Sequence, residues 1–155
     1  MELNEIISLF CTEFGVDGVQ PDEGGAYALA IDGIEVAFAE CDGVLVMAAD
    51  IGKLPAECRE RLYRLMLTAM HGAEGTMFSV DDERDTAVLH RRDELSSLTF
   101  EAFKARLEKF VNLLEDWRKI FMGFVPLATA MDKEEARRSD ENSSARLGVD
   151  GFVKV

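Results

Sequence analysis

The side chains of this chain that could do chemistry are few, and they lie far apart. His71 and His90 fall at the end of a predicted helix and inside a predicted strand, and neither has a second ligand at the spacing of a zinc site. The acidic run at residues 81–85 offers oxygen atoms to calcium, but it lacks the alternate ligands, central glycine and closing glutamate of an EF-hand. A solvated turn is the better interpretation of that run, and we expect no metal site.

The motifs of cofactor binding and covalent catalysis are missing from the sequence as well. It contains no GxGxxG or GxxxxGKS/T loop, and Gly24 and Gly25 precede a predicted strand, whereas phosphate loops open a helix. No serine lies in a GxSxG setting. The three cysteines are Cys11, Cys41 and Cys58, and they form no CxxC pair. This spacing fits buried thiols in a reducing compartment. We therefore expect no cofactor and no enzymatic activity.

The charge of the chain is strongly acidic and unevenly distributed. Asp and Glu number 30 against 17 Lys and Arg, which gives a net charge of −13, and residues 1–52 contain eleven acids and no Lys or Arg. Such a surface repels phosphate groups, which argues against nucleic acid and anionic membranes as partners. The acidic start fits no secretory signal, and no apolar run approaches the roughly 18 residues of a membrane span. These features predict a soluble, cytoplasmic protein.

The N-terminal third of the chain predicts one helix followed by three strands. Apolar side chains recur at helical spacing over residues 3–14, and Gly15 follows at the position of a C-terminal cap. From Ala26 the apolar period changes to two, and Asp32-Gly33 and Asp42-Gly43 interrupt it. Asp-Gly between alternating segments is typical of type I′ hairpin turns, in which both central residues have positive φ. The pattern predicts a three-stranded antiparallel meander.

The second predicted helix, from near Pro55 to His71-Gly72, is apolar over much more than the single face that a surface helix needs. Because a small sheet covers only one side of a helix, this surplus apolar surface predicts a protein–protein interface. We expect a homodimer in which this helix lies at or near the two-fold axis. The candidate interface residues are Leu62, Leu65, Met66, Leu67 and Met70.

A hairpin and a third helix complete the predicted domain. Residues 76–80 and 86–91 have the pattern of strands on either side of the acidic turn, and Thr99 is the predicted N-cap of a helix that ends at Gly123 and Pro126. The order α-β-β-β-α-β-β-α indicates an α+β fold with helices packed on an antiparallel sheet.

The chain is predicted to divide into a domain at residues 1–127 and a tail at residues 128–155. Residues 132–146 are mostly charged or small and have no apolar period, so we expect the tail to be mobile there. The last residues, 147–155, are apolar enough to dock on a surface.

Several segments resemble the Tir chaperone (CesT) family, the small acidic dimeric chaperones of bacterial type III secretion. The order of elements is similar, and so are the segment 51–55 before the second helix and the apolar residues that follow Leu62-Tyr63 within it. The strands within residues 75–92 and the apolar pattern of residues 103–117 also resemble those of the family. The resemblance covers about residues 3–122.

The resemblance implies a class I secretion chaperone, a non-catalytic dimer that binds the extended N-terminal segment of an effector and keeps it competent for secretion. Members use no ATP themselves and deliver the effector to the secretion ATPase. Independently of the family, an extended peptide can add a strand to a sheet edge and place alternate side chains in apolar pockets. The resemblance places the candidate effector contacts on the first helix and the meander: Phe10, Phe14, Leu29, Val36, Phe38 and Val46.

Two other functions stay open from the sequence. A similar topology occurs in YbjN-like bacterial regulatory proteins, and such a protein-binding domain would act outside secretion. An effector gene beside this one would favour the chaperone. The weaker alternative is a small enzyme or ligand-binding domain with an interior cleft, for which a conserved set of polar residues would be the sign.

Overall fold

The computed structural model describes residues 1–72 and 75–147, with side chains described as far as Gly123. Helices and strands follow one another in the predicted order, which confirms the α+β fold. The elements are α1 (Leu3–Phe14), β1 (Tyr27–Ile31), β2 (Ile34–Cys41), β3 (Val44–Lys53), α2 (Arg59–Ala69), β4 (Thr76–Asp81), β5 (Thr86–Glu94) and α3 (Phe100–Leu147), with short 3-10 turns at Met70–Gly72 and Leu95–Ser97.

The five strands form one antiparallel sheet in the order β1-β2-β3-β5-β4. Strands β1, β2 and β3 are the predicted meander, and β5 pairs with both β3 and β4. Strands β1 and β4 are therefore the outer strands of the sheet.

Both turns of the meander have the backbone geometry that the Asp-Gly pairs predict. Asp32 and Gly33 have φ values of 50° and 78°, and Asp42 and Gly43 have φ values of 52° and 77°. Positive φ at both central residues gives a turn whose twist matches that of the flanking strands.

Helices α1 and α3 cover one face of the sheet and form the core with it. The ring of Phe103 in α3 lies 6.2 Å from that of Phe10 in α1 and 5.9 Å from that of Phe38 in β2. Fourteen residues later, Trp117 contacts Phe78 of β4, with ring centroids 4.7 Å apart. Helix α3 therefore crosses the sheet from β2 to β4.

On the opposite face of the sheet, strands β1, β2 and β3 carry many small side chains. By strand register, the residues between the buried positions of β1, β2 and β3 point away from the core, and many of them are alanine. These exposed or half-buried alanines are Ala28, Ala30, Ala37, Ala39 and Ala48.

Helix α2 begins four residues later than the sequence predicts. Pro55 lies before the helix, and Cys58 has φ 59°, so the backbone is left-handed there and the helix starts at Arg59. The Arg59 side chain holds this start in place, since it donates to the Pro55 carbonyl at 2.9 Å and pairs with Asp85 at 2.7 Å.

The predicted end of the third helix at Gly123 and Pro126 is wrong, because α3 continues to Leu147. A proline inside a helix removes one hydrogen bond and can bend the helix without ending it. The sequence after Pro126 is rich in alanine, glutamate and arginine, which are good helix formers. The boundary at residue 127 and the mobility of residues 128–155 stay predictions, and residues 148–155 lie outside the described part of the chain.

Candidate functional site

An apolar groove of about 350 Å³ lies between the end of α1, the end of β1 and the N-terminal part of α3. We call it the α1–α3 groove. Its apolar lining consists of Phe10, Phe14, Val16, Ile31, Leu107 and Val111.

The end of α1 supplies an exposed aromatic wall to this groove. Gly15 takes the left-handed conformation with φ 65°, and Val16 donates its N–H to the Cys11 carbonyl at 2.9 Å, so the helix stops and the chain turns away. Phe14 is left 55% exposed at the helix end, with its ring centroid 4.5 Å from that of the buried Phe10. A large exposed aromatic ring beside a groove is available for contact with a partner.

The groove lies beside an unpaired strand edge. Strand β1 pairs with β2 on one side, and no described strand pairs with its other side. Ala30 and Ile31, at the end of β1, both line the groove. An extended peptide that adds to this edge would therefore run past the groove and could place side chains in it.

The polar residues around the groove make it acidic. Asp32 and Glu108 line it, and within the described chain neither carboxylate forms an ion pair. The cation in the lining, Lys104, has its Nζ 2.8 Å from Glu13 and 2.9 Å from Glu101. Hydrogen bonds to these two carboxylates raise the pKa of Lys104. Its charge is therefore already compensated, and the groove as a whole is negative.

Helix α2 exposes two further large apolar side chains. Leu65 is 41% exposed and Leu67 is 65% exposed, and at 100° per residue they flank the buried stripe of Leu62 and Met66 on its two sides. They lie about 160° apart around the helix axis, with exposed arginines between them on the outer side, so a partner covers both only by packing across that outer side.

The sequence of this α+β domain matches a known family. Residues 5–118, from α1 into the first part of α3, match the Tir chaperone protein (CesT) family. The chain belongs to the CesT family. The resemblance inferred from the sequence is thereby confirmed, and the matched residues of the CesT-family chain include both the α1–α3 groove and α2.

Solved structures with a similar fold include three protein complexes. The crystal structure of the ExsC–ExsE complex gives a TM-score of 0.67 at 20% identity and covers 78% of this chain and 97% of that chain. The Yersinia pestis type III secretion chaperone SycH in complex with a fragment of YscM2 gives 0.57 at 20% identity, covering 73% and 97%. The HopA1–SchA chaperone–effector complex gives 0.62 at 14% identity, covering 75% and 92%. At these identities the likeness shows the fold of the CesT-family chain. No curated protein sequence matches it.

The structure of this CesT-family protein brings together two of the six predicted effector contacts. Phe10 and Phe14 line the α1–α3 groove. Val46 is half-buried and lies on the other face of the sheet. The remaining three are buried in the core, where no partner reaches them in this conformation: Leu29, Val36 and Phe38.

Sequence reasoning missed much of the groove. Val16 and Asp32 lie in a loop and a turn, for which no spacing rule predicts a common surface. Leu107 and Val111 were visible in the sequence, but as members of the apolar stripe of α3, where core packing was the natural interpretation.

The predicted dimer residues divide in a similar way. Leu65 and Leu67 are exposed and Met70 is half-buried, so they are available to a second copy. Leu62 and Met66 are buried within their own chain. The homodimer itself stays a prediction.

One pair of side chains has the residue types of an activated nucleophile. Ser79 Oγ lies 2.6 Å from His90 Nε2, in a cavity on the alanine-bearing face of the sheet, and desolvation lowers the pKa of His90. Within the described residues, no carboxylate is hydrogen-bonded to His90 to orient its ring as a catalytic base requires.

Within the described part of the chain, no cluster of three or more His, Cys, Asp and Glu side chains could hold a metal ion. No helix there has the length and apolar character needed to cross a membrane.

Proposed function

We propose that this CesT-family protein is a non-catalytic type III secretion chaperone that binds the extended N-terminal segment of an effector. The observation that carries the proposal is the family match over residues 5–118. The protein would act in the bacterial cytoplasm, as a homodimer, and would present the bound effector to the secretion ATPase.

The α1–α3 groove beside the free edge of β1 supports this function physically. Backbone pairing along β1 fixes the direction of an extended segment without reading its sequence. The apolar lining then takes alternate side chains of the segment, with the exposed Phe14 as one wall.

The size of the groove limits how much each contact contributes. Full burial of one Leu- or Phe-sized side chain is worth about 1.5–3 kcal/mol. One groove therefore holds a segment only weakly, and two grooves in a dimer would act on one polypeptide with a high effective concentration. We assign the dimer contact to α2, through Leu65 and Leu67.

Co-expression with the polypeptide encoded beside this protein tests the proposal. Pull-down should recover that polypeptide in stoichiometric amounts without nucleotide, through its N-terminal segment. The variant Phe14→Asp should lose most of the captured polypeptide. Leu9→Asp is the matched control, since Leu9 is 45% exposed on the same helix but does not line the groove.

The outcome decides among the functions that the sequence left open. Capture of a secreted polypeptide that depends on Phe14 supports the chaperone. Capture of a protein that is not secreted favours the YbjN-like regulatory domain. If no polypeptide binds and the purified protein turns over a small molecule, the enzyme alternative replaces both.

A further inference from the structure

We propose that the α1–α3 groove selects segments that combine apolar side chains with lysine or arginine. This inference rests on the proposed function of the groove and names the chemistry of the segment that it takes. The acidic composition of the protein does not by itself imply this selection, since an apolar groove on an acidic protein could lie far from any free carboxylate.

The first observation is the position of two carboxylates beside the apolar lining. Asp32 occupies the first central position of the β1–β2 turn, and Glu108 follows the lining residue Leu107 in α3. Both are exposed and without an ion pair in the described chain. A segment that buries one side chain in the groove would bring the side chains two residues before and after it close to these two groups, because every second side chain of an extended chain points to the same side.

The second observation is that the described lining of the groove holds no uncompensated cation. Lys104 is held between Glu13 and Glu101, and its Nζ also lies 4.9 Å from the centroid of the Phe100 ring. Residues 1–52, which form α1, β1 and β2, contain no Lys or Arg. Exposed charges act over about 8–10 Å at physiological salt. An acidic segment would therefore be repelled at the groove, and a basic one attracted.

The expected size of this selection is modest. Ion pairs between exposed side chains contribute little individually because water and salt screen them. Two such pairs predict a preference of about three- to tenfold for a basic over a neutral segment of equal apolar content. The apolar contacts still supply most of the affinity, so raised salt should narrow the preference without abolishing binding.

Three labelled synthetic peptides of equal length test the inference by fluorescence anisotropy. In all three, serine fills every second position, so that the other positions share one face of the extended peptide. On that face leucine alternates with arginine in the first peptide, with glutamine in the second and with glutamate in the third. The groove variant combines Asp32→Asn with Glu108→Gln, and asparagine is well accepted at the first position of a type I′ turn. The control variant combines Asp82→Asn with Glu83→Gln, which removes the same charge from the β4–β5 turn at the opposite side of the sheet.

The inference expects the wild type to bind the leucine–arginine peptide about three- to tenfold more tightly than the leucine–glutamine peptide, and the leucine–glutamate peptide most weakly. The groove variant should lose most of that preference, and the control variant should keep it. An equal loss in both variants would overturn the inference, because it would show an effect of net charge alone.

The same experiment separates this inference from the proposed function. If all three peptides bind equally and Phe14→Asp abolishes their binding, the groove function stands and the charge selection is overturned. If no peptide binds the wild type, both the selection and the groove as a segment-binding site are overturned.

Discussion

The guanidinium of Arg118 donates two hydrogen bonds to the backbone carbonyl oxygen of Asp50, from Nη2 at 2.7 Å and from Nε at 3.1 Å. Asp50 lies where the pairing of β3 with β5 shifts register, between Asp50 and Gly52. A register shift disturbs the regular ladder of backbone hydrogen bonds. Arg118 therefore ties α3 to the irregular point in the middle of the sheet.

Replacing Arg118 with alanine should lower the free energy of unfolding by about 1–3 kcal/mol, because a part-buried carbonyl loses a charged donor. Arg118→Lys should lower the free energy of unfolding by less than Arg118→Ala does, since lysine keeps the charge but cannot donate from two nitrogens. Urea unfolding measures both, with Lys119→Ala as the control. Lys119 is exposed and only 3.6 Å from Asp116, so its loss should cost less than about 0.5 kcal/mol. Equal losses in Arg118→Ala and the control would contradict the assigned role.

The double variant Leu65→Glu, Leu67→Glu should be a folded monomer, if the wild type is a dimer through α2. Both side chains are exposed in the single chain, so the charges cost little in folding but would be buried in the interface. Light scattering and circular dichroism measure the mass and the fold. A wild type that is monomeric at micromolar concentration would contradict the homodimer. Met66→Glu is unsuitable here, since Met66 is buried and its loss would unfold the chain.

Phe14→Asp and Phe38→Asp should differ sharply in stability. Phe14 is more than half exposed, so its replacement should leave the melting temperature nearly unchanged. Phe38 is fully buried, and a charge at this position should destabilise the domain by about 4–5 kcal/mol or prevent folding. Thermal unfolding distinguishes the two. A large loss in Phe14→Asp would show that capture experiments with this variant report folding and not contact.

The free energy of unfolding should fall as the pH decreases from neutral towards 5, in part because of His90. Desolvation lowers the pKa of His90 below its ordinary value of 6.5, so the unfolded chain takes up a proton first and gains stability relative to the fold. Denaturant unfolding across this range should show a shallower pH dependence for His90→Gln than for the wild type. Equal slopes for the wild type and His90→Gln would refute this.

Removal of the residues after Met131 should shift the melting temperature by only a few degrees, because the predicted tail buries little apolar area. Scanning calorimetry of the shortened and full chains measures the shift. A large loss would mean that the tail docks on the domain, and residues 128–155 would then belong to it.

Local rules predicted the fold well because they act over few residues. The Asp-Gly turns, the Gly15 cap and the Thr99 N-cap all formed, and Thr99 Oγ1 accepts a hydrogen bond from the Ala102 N–H at 3.2 Å. The misplaced helix ends show where these local rules fail. The residue types around Cys58 do not indicate a left-handed backbone, and the proline at position 126 does not end the helix, although its low helix propensity suggests that it should.

Contacts between segments that are far apart along the chain could not be predicted from the sequence. Asp93 is an example, since it is buried and accepts hydrogen bonds from Arg91 in its own strand and from Arg106 in α3. The groove depends in the same way on a turn, a helix end and the side of a second helix. Periodicity assigns an apolar residue to a face, but it cannot say which part of that face the rest of the fold leaves uncovered, as at Phe14.

The alanines on the face of the sheet opposite the core bear on how this protein would distinguish one polypeptide from other unfolded chains. Interfaces draw most of their affinity from a few large anchors that fill pockets on the partner. A methyl group is too small to be such an anchor, so the part of this face that β1, β2 and β3 form offers a passing polypeptide few strong contacts. Nonspecific adhesion is thereby discouraged on these three strands, and selectivity is left to the areas where large side chains are exposed.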